Sequence, residues 1–188
     1  AAKPIPIQSL SDELYISDST LLRQLKSDSR LLSSFQLSIK RKDNRIYIEG
    51  SEFNKRRLIS HLINSEIKPF MQGNYDPEGY FSDIDVTQMR NLVLRLIHHY
   101  NCLVDEPYFS NMLLNLMIAF HRMKTGFYME LSSDIHIGEE DVAYQIAKEL
   151  CAFYTTLWRV EPSKEDISYI AIILLGQIKL LLTVDPME

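Results

Sequence analysis

Cysteine is nearly missing from this chain of 188 residues. Cys102 and Cys151 lie far apart, have no partner at metal-ligand spacing and sit in apolar helical patterns, where a free thiol packs as a small hydrophobe. That excludes a disulfide scaffold and a cysteine-built metal centre, so no metal and no cofactor are expected, and a reducing cytoplasm is the fitting compartment. The six glycines form no phosphate-cradling loop, and neither a His-Glu-x-x-His pair nor a nucleophile elbow occurs. Long apolar runs are lacking too. The longest, from Ile167 to Val184, is interrupted by Gln177 and Lys179 and falls short of the roughly 20 residues that span a bilayer, so it reads as a buried core helix. The opening Ala1-Ala2-Lys3-Pro4-Ile5-Pro6 is broken by proline and makes no signal sequence. No membrane is expected as a partner. With 46% hydrophobic residues, the composition suits a soluble globular protein with one good core or two small ones.

Acidic pairs are present, but they fall at helix starts. Asp105-Glu106, Glu139-Glu140-Asp141 and Glu165-Asp166 each precede an apolar periodic run, where negative charge favours the helix macrodipole. They read as caps before catalysts. His98 and His99 are adjacent and so point about 100° apart on a helix, a poor arrangement for sharing a metal. An enzyme is not expected.

Leu10 to Leu62 reads as a helix, a polar turn, a second helix, a basic hairpin and a third helix. Apolar residues recur three to four apart over Leu10–Ile16, and Ser17-Asp18-Ser19 offers an N-cap before Thr20-Leu21-Leu22-Arg23-Gln24-Leu25-Lys26. Leu37–Lys40 and Arg45–Glu49 alternate apolar and polar residues around a polar tip, Arg41 to Asn44. This is the order of a winged helix-turn-helix, which can place one helix in the DNA major groove and its hairpin on neighbouring phosphates. Residues 1–68 carry twelve Lys and Arg against eight Asp and Glu, a net of +4, whereas residues 69–188 carry eight against seventeen, a net of −9.

The DNA-facing candidates on the second helix are Ser19, Thr20, Arg23, Gln24, Lys26 and Ser27. Arg23 and Gln24 are the types that bind guanine and adenine edges bidentately. On the hairpin the candidates are Arg41, Lys42 and Arg45, with Lys40 beside them; Lys55, Arg56 and Arg57 open the third helix as further phosphate neutralisers. An exposed hairpin also needs charge to avoid edge pairing, and charge alone leaves the two readings equal. Leu21, Leu22, Leu25, Leu31 and Leu32 draw one apolar stripe and belong to the core.

Turn signals crowd residues 69–83, including Lys68-Pro69, Gln72-Gly73-Asn74, Asp76-Pro77 and Glu78-Gly79. The aromatic residues Phe70, Tyr75, Tyr80 and Phe81 suggest a linker that packs. Beyond it the pattern is wholly helical: Asp85–Tyr100 capped by Ser82 or Asp83, then Tyr108–Lys124, Asp141–Leu157 and Ile167–Leu182. The expected fold is therefore mainly α: a winged helix-turn-helix over 1–68, a linker over 69–83 and an all-helical bundle over 84–188. Phe120, Phe127, Tyr128, Phe153, Tyr154 and Trp158 exceed what a small four-helix core needs, so a homodimer through the bundle is expected.

Three segments of the bundle, Arg122–Leu131, Tyr144–Leu150 and Glu165–Gly176, resemble a phosphotransferase-system regulation domain, or PRD. Leu14–Arg23 and Ile48–Arg57 resemble the second helix-turn-helix of Mga-like and AtxA-like virulence regulators, which are related to sugar-operon regulators and antiterminators. In that order the two matches cover nearly the whole chain. The resemblance implies a fragment of a bacterial transcriptional regulator answering to carbohydrate and phosphotransferase status, with double-stranded DNA and phosphotransferase-system proteins as partners. It also implies flanking domains outside this sequence.

Two departures stand out. The histidines that such a domain offers for phosphorylation fall on Asn115, or near Ser110 if the helix is shifted by a turn, and on Ile173, leaving His121, His98 and His99 as substitutes, with Arg122 beside His121 able to pair with a phosphoryl group. Asp18 stands where relatives often place arginine and would be repelled by phosphate unless it caps the helix. The alternative function is a protein-interaction or dimerisation module whose degenerate helix-turn-helix packs against its neighbours without binding DNA.

Overall fold

The computed structural model describes residues 3–67, 81–130 and 137–181. The chain divides into two compact units, residues 1–63 and 64–188. The fold is mainly α. Most of the expected linker, with Phe70, Tyr75 and Tyr80, lies outside the described residues, as does the end of the apolar run beyond Leu181.

The first unit runs β1 (Ile5–Pro6), α1 (Ile7–Glu13), α2 (Asp18–Ser27), α3 (Ser29–Ser34), β2 (Ser38–Lys42), β3 (Arg45–Glu49) and α4 (Glu52–Ile67). The hairpin forms in register Ile39↔Ile48 and Arg41↔Ile46. Its tip is narrower than the sequence suggests: only Asp43 and Asn44 turn, both at positive φ, 48° and 59°, the left-handed pair a two-residue hairpin needs and which Asp and Asn tolerate. The sequence pattern did not announce β1, which pairs antiparallel with β3 through Ile5↔Ile46 and completes a sheet in the order β1-β3-β2. Gly50 closes the wing at φ +132°, where a Cβ would strike the Leu37 side chain and crowd the Gln36 carbonyl; only glycine suits that backbone.

Two helical expectations need correction. α1 stops at Glu13 instead of continuing through Ile16; Tyr15 enters the left-handed region at φ 54°, and Leu14, Tyr15 and Ile16 are exposed. Three consecutive apolar residues cannot share one helix face. The leucine stripe is also not single. Asp28, at φ −78° and ψ −3°, interrupts the helix and splits it into α2 and α3. Ile7, Leu21 and Ile46 then form one cluster, with Leu10, Leu22, Leu25 and Ile39 packed on it. Leu32, Leu37 and Leu58 form another, with Leu31, Phe35 and again Ile39 against it.

The second unit contains α5 (Val86–His99), β4 (Cys102–Val104), α6 (Glu106–Lys124), α7 (Val142–Trp158), α8 (Lys164–Leu175) and β5 (Ile178–Leu180). α6 is apolar on nearly every side and is buried along Phe109, Met112, Leu116, Met117 and Phe120, as the central helix of a bundle must be. α7 packs most extensively on α8, where Ala147 and Ala171 are fully buried. Both cysteines are free and buried; burial, helped by the Asp166 charge, pushes the Cys151 thiol up to about 12, which leaves it unreactive.

The helix starts fall at the expected openings of α6 and α8, although Asp105 makes no side-chain cap hydrogen bond; at α7 the sequence pattern has Gly138–Glu140 opening a helix from Asp141, and Asp141 is itself the cap. Asp105 precedes α6 with Pro107 in its first turn, Asp141 accepts from the Ala143 amide at 2.8 Å, and Ser163 with Asp166 forms a full capping box. At α5 the cap is Asp85, which accepts from the Gln88 amide at 2.8 Å, in place of Ser82 or Asp83. α8 is shorter than expected. It ends at Leu175, and Ile178–Leu180 is extended, pairing with β4 as Cys102↔Leu180 and Val104↔Ile178. The Lys179 ammonium on Asp105 at 2.7 Å and the Leu181 amide on the Asn101 carbonyl at 2.8 Å hold that strand, so tertiary pairing overrides an apolar run that reads as helix.

Candidate nucleic-acid interface

Local chemistry fixes the start of α2. The Ser17 hydroxyl accepts from the Thr20 amide at 3.2 Å and lies 2.9 Å from the Thr20 hydroxyl, so Ser17 is the cap and Asp18 the first helical residue. Asp18 accepts a hydrogen bond from the buried Ser11 hydroxyl of α1. Its carboxylate is therefore spent on joining α1 to α2 at a helix N-terminus, where its charge is favourable.

Along α2, Ser19, Arg23, Gln24, Lys26 and Ser27 are exposed and Thr20 is half-buried. Gln24 places its amide 3.2 Å from the Asp28 carboxylate, an exposed contact that a base edge could replace. Arg23 and Lys26 have no ion pair among the described residues.

The wing separates its cations. Arg41 shares the Ile39 and Ile46 face, with its guanidinium donating to Asn44 Oδ1 at 3.3 Å. Lys42 and Arg45 pair directly across the hairpin on the opposite face. All three are exposed. Lys40 is paired with Glu49 at 3.3 Å.

The basic trio that opens α4 does not form a phosphate-binding row. Arg56 is fully buried and paired with Glu52, Nε to Oε1, at 3.1 Å. Arg57 is exposed, stacks over Phe35 and Phe53 at 5.6 and 5.7 Å and donates to Asn54 at 3.4 Å. The i,i+4 spacing of Glu52 and Arg56 carried a signal for the pair; the burial carried none.

The histidine candidates scatter in the second unit. His98 and His99 are exposed in the last turn of α5. Half-buried His121 sets Nδ1 3.0 Å from Asp83, with its ring against Phe81. Lys124 reaches the same carboxylate at 3.3 Å. The cation beside His121 is thus Lys124, whereas Arg122 lies over the Phe127 ring at 3.8 Å. Asn115 is half-buried and donates to the Asn111 carbonyl at 2.8 Å.

Burial works to raise the Asp83 carboxyl, but His121 and Lys124 outweigh it and hold the group below its ordinary value of 3.8. A depressed carboxyl stabilises the fold above that value and loses its contribution as pH falls through the lower folded one. Asp83→Asn should therefore flatten the acid limb of the second unit's stability below about pH 4. Thermal melts across that range check it.

Among the described residues no cluster of His, Cys, Asp and Glu could hold a metal ion, and no helix is long and apolar enough to cross a membrane. Of the acidic pairs, Asp166 is fully buried and accepts from the Met129 amide at 3.0 Å and the Ser163 hydroxyl at 2.9 Å.

Comparison with known proteins gives two family matches along the chain. Residues 1–63 match the Mga helix-turn-helix domain and residues 90–177 the PRD domain. A protein of Bacillus subtilis (strain 168) described as a probable licABCH operon regulator is 22% identical over 178 residues, covering 92% of this chain and 27% of the relative. The chain spans about a quarter of that relative's length.

Proposed function

We propose that this chain, which belongs to the PRD-containing, Mga-like regulators, is the segment of a bacterial transcriptional regulator that reads double-stranded DNA and responds to carbohydrate status. The observation that carries the reading is the exposed row Arg23, Gln24, Lys26 and Ser27 on α2, beside a hairpin whose Arg41, Lys42 and Arg45 are exposed. α2 supplies base-edge contacts, starting at Ser19 and Thr20, and the wing supplies phosphate contacts. The B. subtilis relative, described as regulating an operon, supports the same direction. The working division is a winged helix-turn-helix over 1–68, a linker over 69–83 and a regulation domain over 84–188, acting in the cytoplasm without catalysis.

In the regulation domain, exposed Tyr128 and half-buried Phe127, Phe153 and Trp158 support association as a homodimer; Phe120 and Tyr154 are buried and belong to the core. Phosphotransferase-system proteins are its proposed partners, and Asn115 and Ile173 accept no phosphoryl group. His121 is the best placed substitute, because Asp83 fixes Nδ1 and leaves Nε2 as the accepting atom, ahead of the exposed His98 and His99.

Salt dependence tests the DNA assignment. Binding should weaken steeply as salt rises, and Arg41→Ala with Lys42→Ala should lower the slope of log affinity against log salt by about 1.8, equally on every sequence, as two lost phosphate contacts require. Fluorescence anisotropy with operator and random duplexes measures it. Absence of binding at low salt would favour the interaction-module reading, and loss confined to one operator would put the wing on base edges.

A further inference from the structure

Between α2, α3 and the β2–β3 hairpin lies an open groove of about 310 Å³. Leu25 and Ile46 come from one apolar cluster, Leu32 from the other, and Ile39 from both; all four line the groove. Exposed Lys26 and Arg41 stand at its rim, and no Asp or Glu is among its lining residues.

The size is at the lower end of the roughly 300–1,000 Å³ range of small-molecule sites. An apolar floor gains from a hydrocarbon that displaces water, at about 25 cal/mol per Å² covered. Two cations at the rim of a groove whose lining holds no Asp or Glu call for one anionic head, and the planar fork of Arg41 matches a carboxylate.

We propose that this groove binds a medium-chain carboxylate, with its hydrocarbon against Leu25, Leu32, Ile39 and Ile46 and its head between Lys26 and Arg41. A consequence that rests on the DNA reading above is that ligand and DNA compete, since Lys26 and Arg41 serve both.

Methyl NMR of the whole chain titrated with decanoate tests the site. Saturable shifts are expected at Leu25, Leu32 and Ile39. Decanol, with the same tail and no charge, should bind about fivefold to tenfold more weakly, and Lys26→Gln with Arg41→Gln should bring decanoate down to the decanol level. No saturable shift at millimolar decanoate, or equal binding of acid and alcohol, overturns the proposal. Shifts of the same methyls with protein concentration alone would also overturn it, by assigning the groove to a second copy. Anisotropy with labelled duplex then separates the two readings. Decanoate should release bound DNA; simultaneous binding overturns the competition, whereas ligand binding by a chain that never binds DNA leaves the groove standing and removes the DNA reading.

Discussion

Glu52→Ala is expected to destabilise the first unit by about 3–5 kcal/mol, because it removes the carboxylate from a guanidinium already taken out of water. The Arg56 side chain has no solvent exposure and Glu52 only 5%, at 3.1 Å. Replacing both by apolar residues of similar volume, Glu52→Leu with Arg56→Met, should restore much of the loss, since no charge is then left buried. Amide hydrogen exchange in β2, β3 and α4 measures both variants by urea series. A single variant that costs no more than a surface substitution would show that Glu52 does not hold Arg56 in place.

The next largest effect is expected on DNA discrimination. Arg23→Ala with Gln24→Ala removes two side chains whose bidentate contacts are worth about 1–3 kcal/mol each, so preference for the operator over random duplex should fall by at least about 30-fold and by up to about ten-thousand-fold. Affinity for random DNA should fall less, because Lys26 and the wing cations remain to neutralise phosphates. Competition binding at fixed salt distinguishes this from a uniform loss, which would confine α2 to backbone contacts. The Gln24 amide now rests on Asp28, and Asp28→Ala separates release of that contact from loss of the amide itself.

What could be read without coordinates was local. The cap at Ser17, the capping box Ser163–Asp166 and the proline in the first turn of α6 depend on residues within one helical turn of each other, and their hydrogen bonds are those the residue types dictate. The hairpin belongs to the same class: alternation places Ile39 and Ile46 on one face, and a left-handed Asp-Asn pair closes it. Asp18 was legible only in part. A helix start was evident, but its carboxylate binds Ser11 of another helix, which a spacing rule within α2 does not reach.

Sequence by itself determined the two-part organisation, the charge asymmetry, the starts of α2 and α8, the wing and the identity of the polar row on α2, because each follows from composition or from contacts a few residues apart. Tertiary structure decided what happens to groups that meet only after folding. It buried Arg56 beside Glu52 while leaving Arg41 exposed at a groove, although both are arginines in basic runs. It also drew Ile178–Leu180 out of a helical pattern by giving their backbone groups partners in Cys102–Val104 and their lysine a carboxylate at Asp105. The physical reason is the same in each case: burial and strand pairing are set by what the remainder of the chain supplies as a neighbour, and the neighbour is not encoded in the segment it covers.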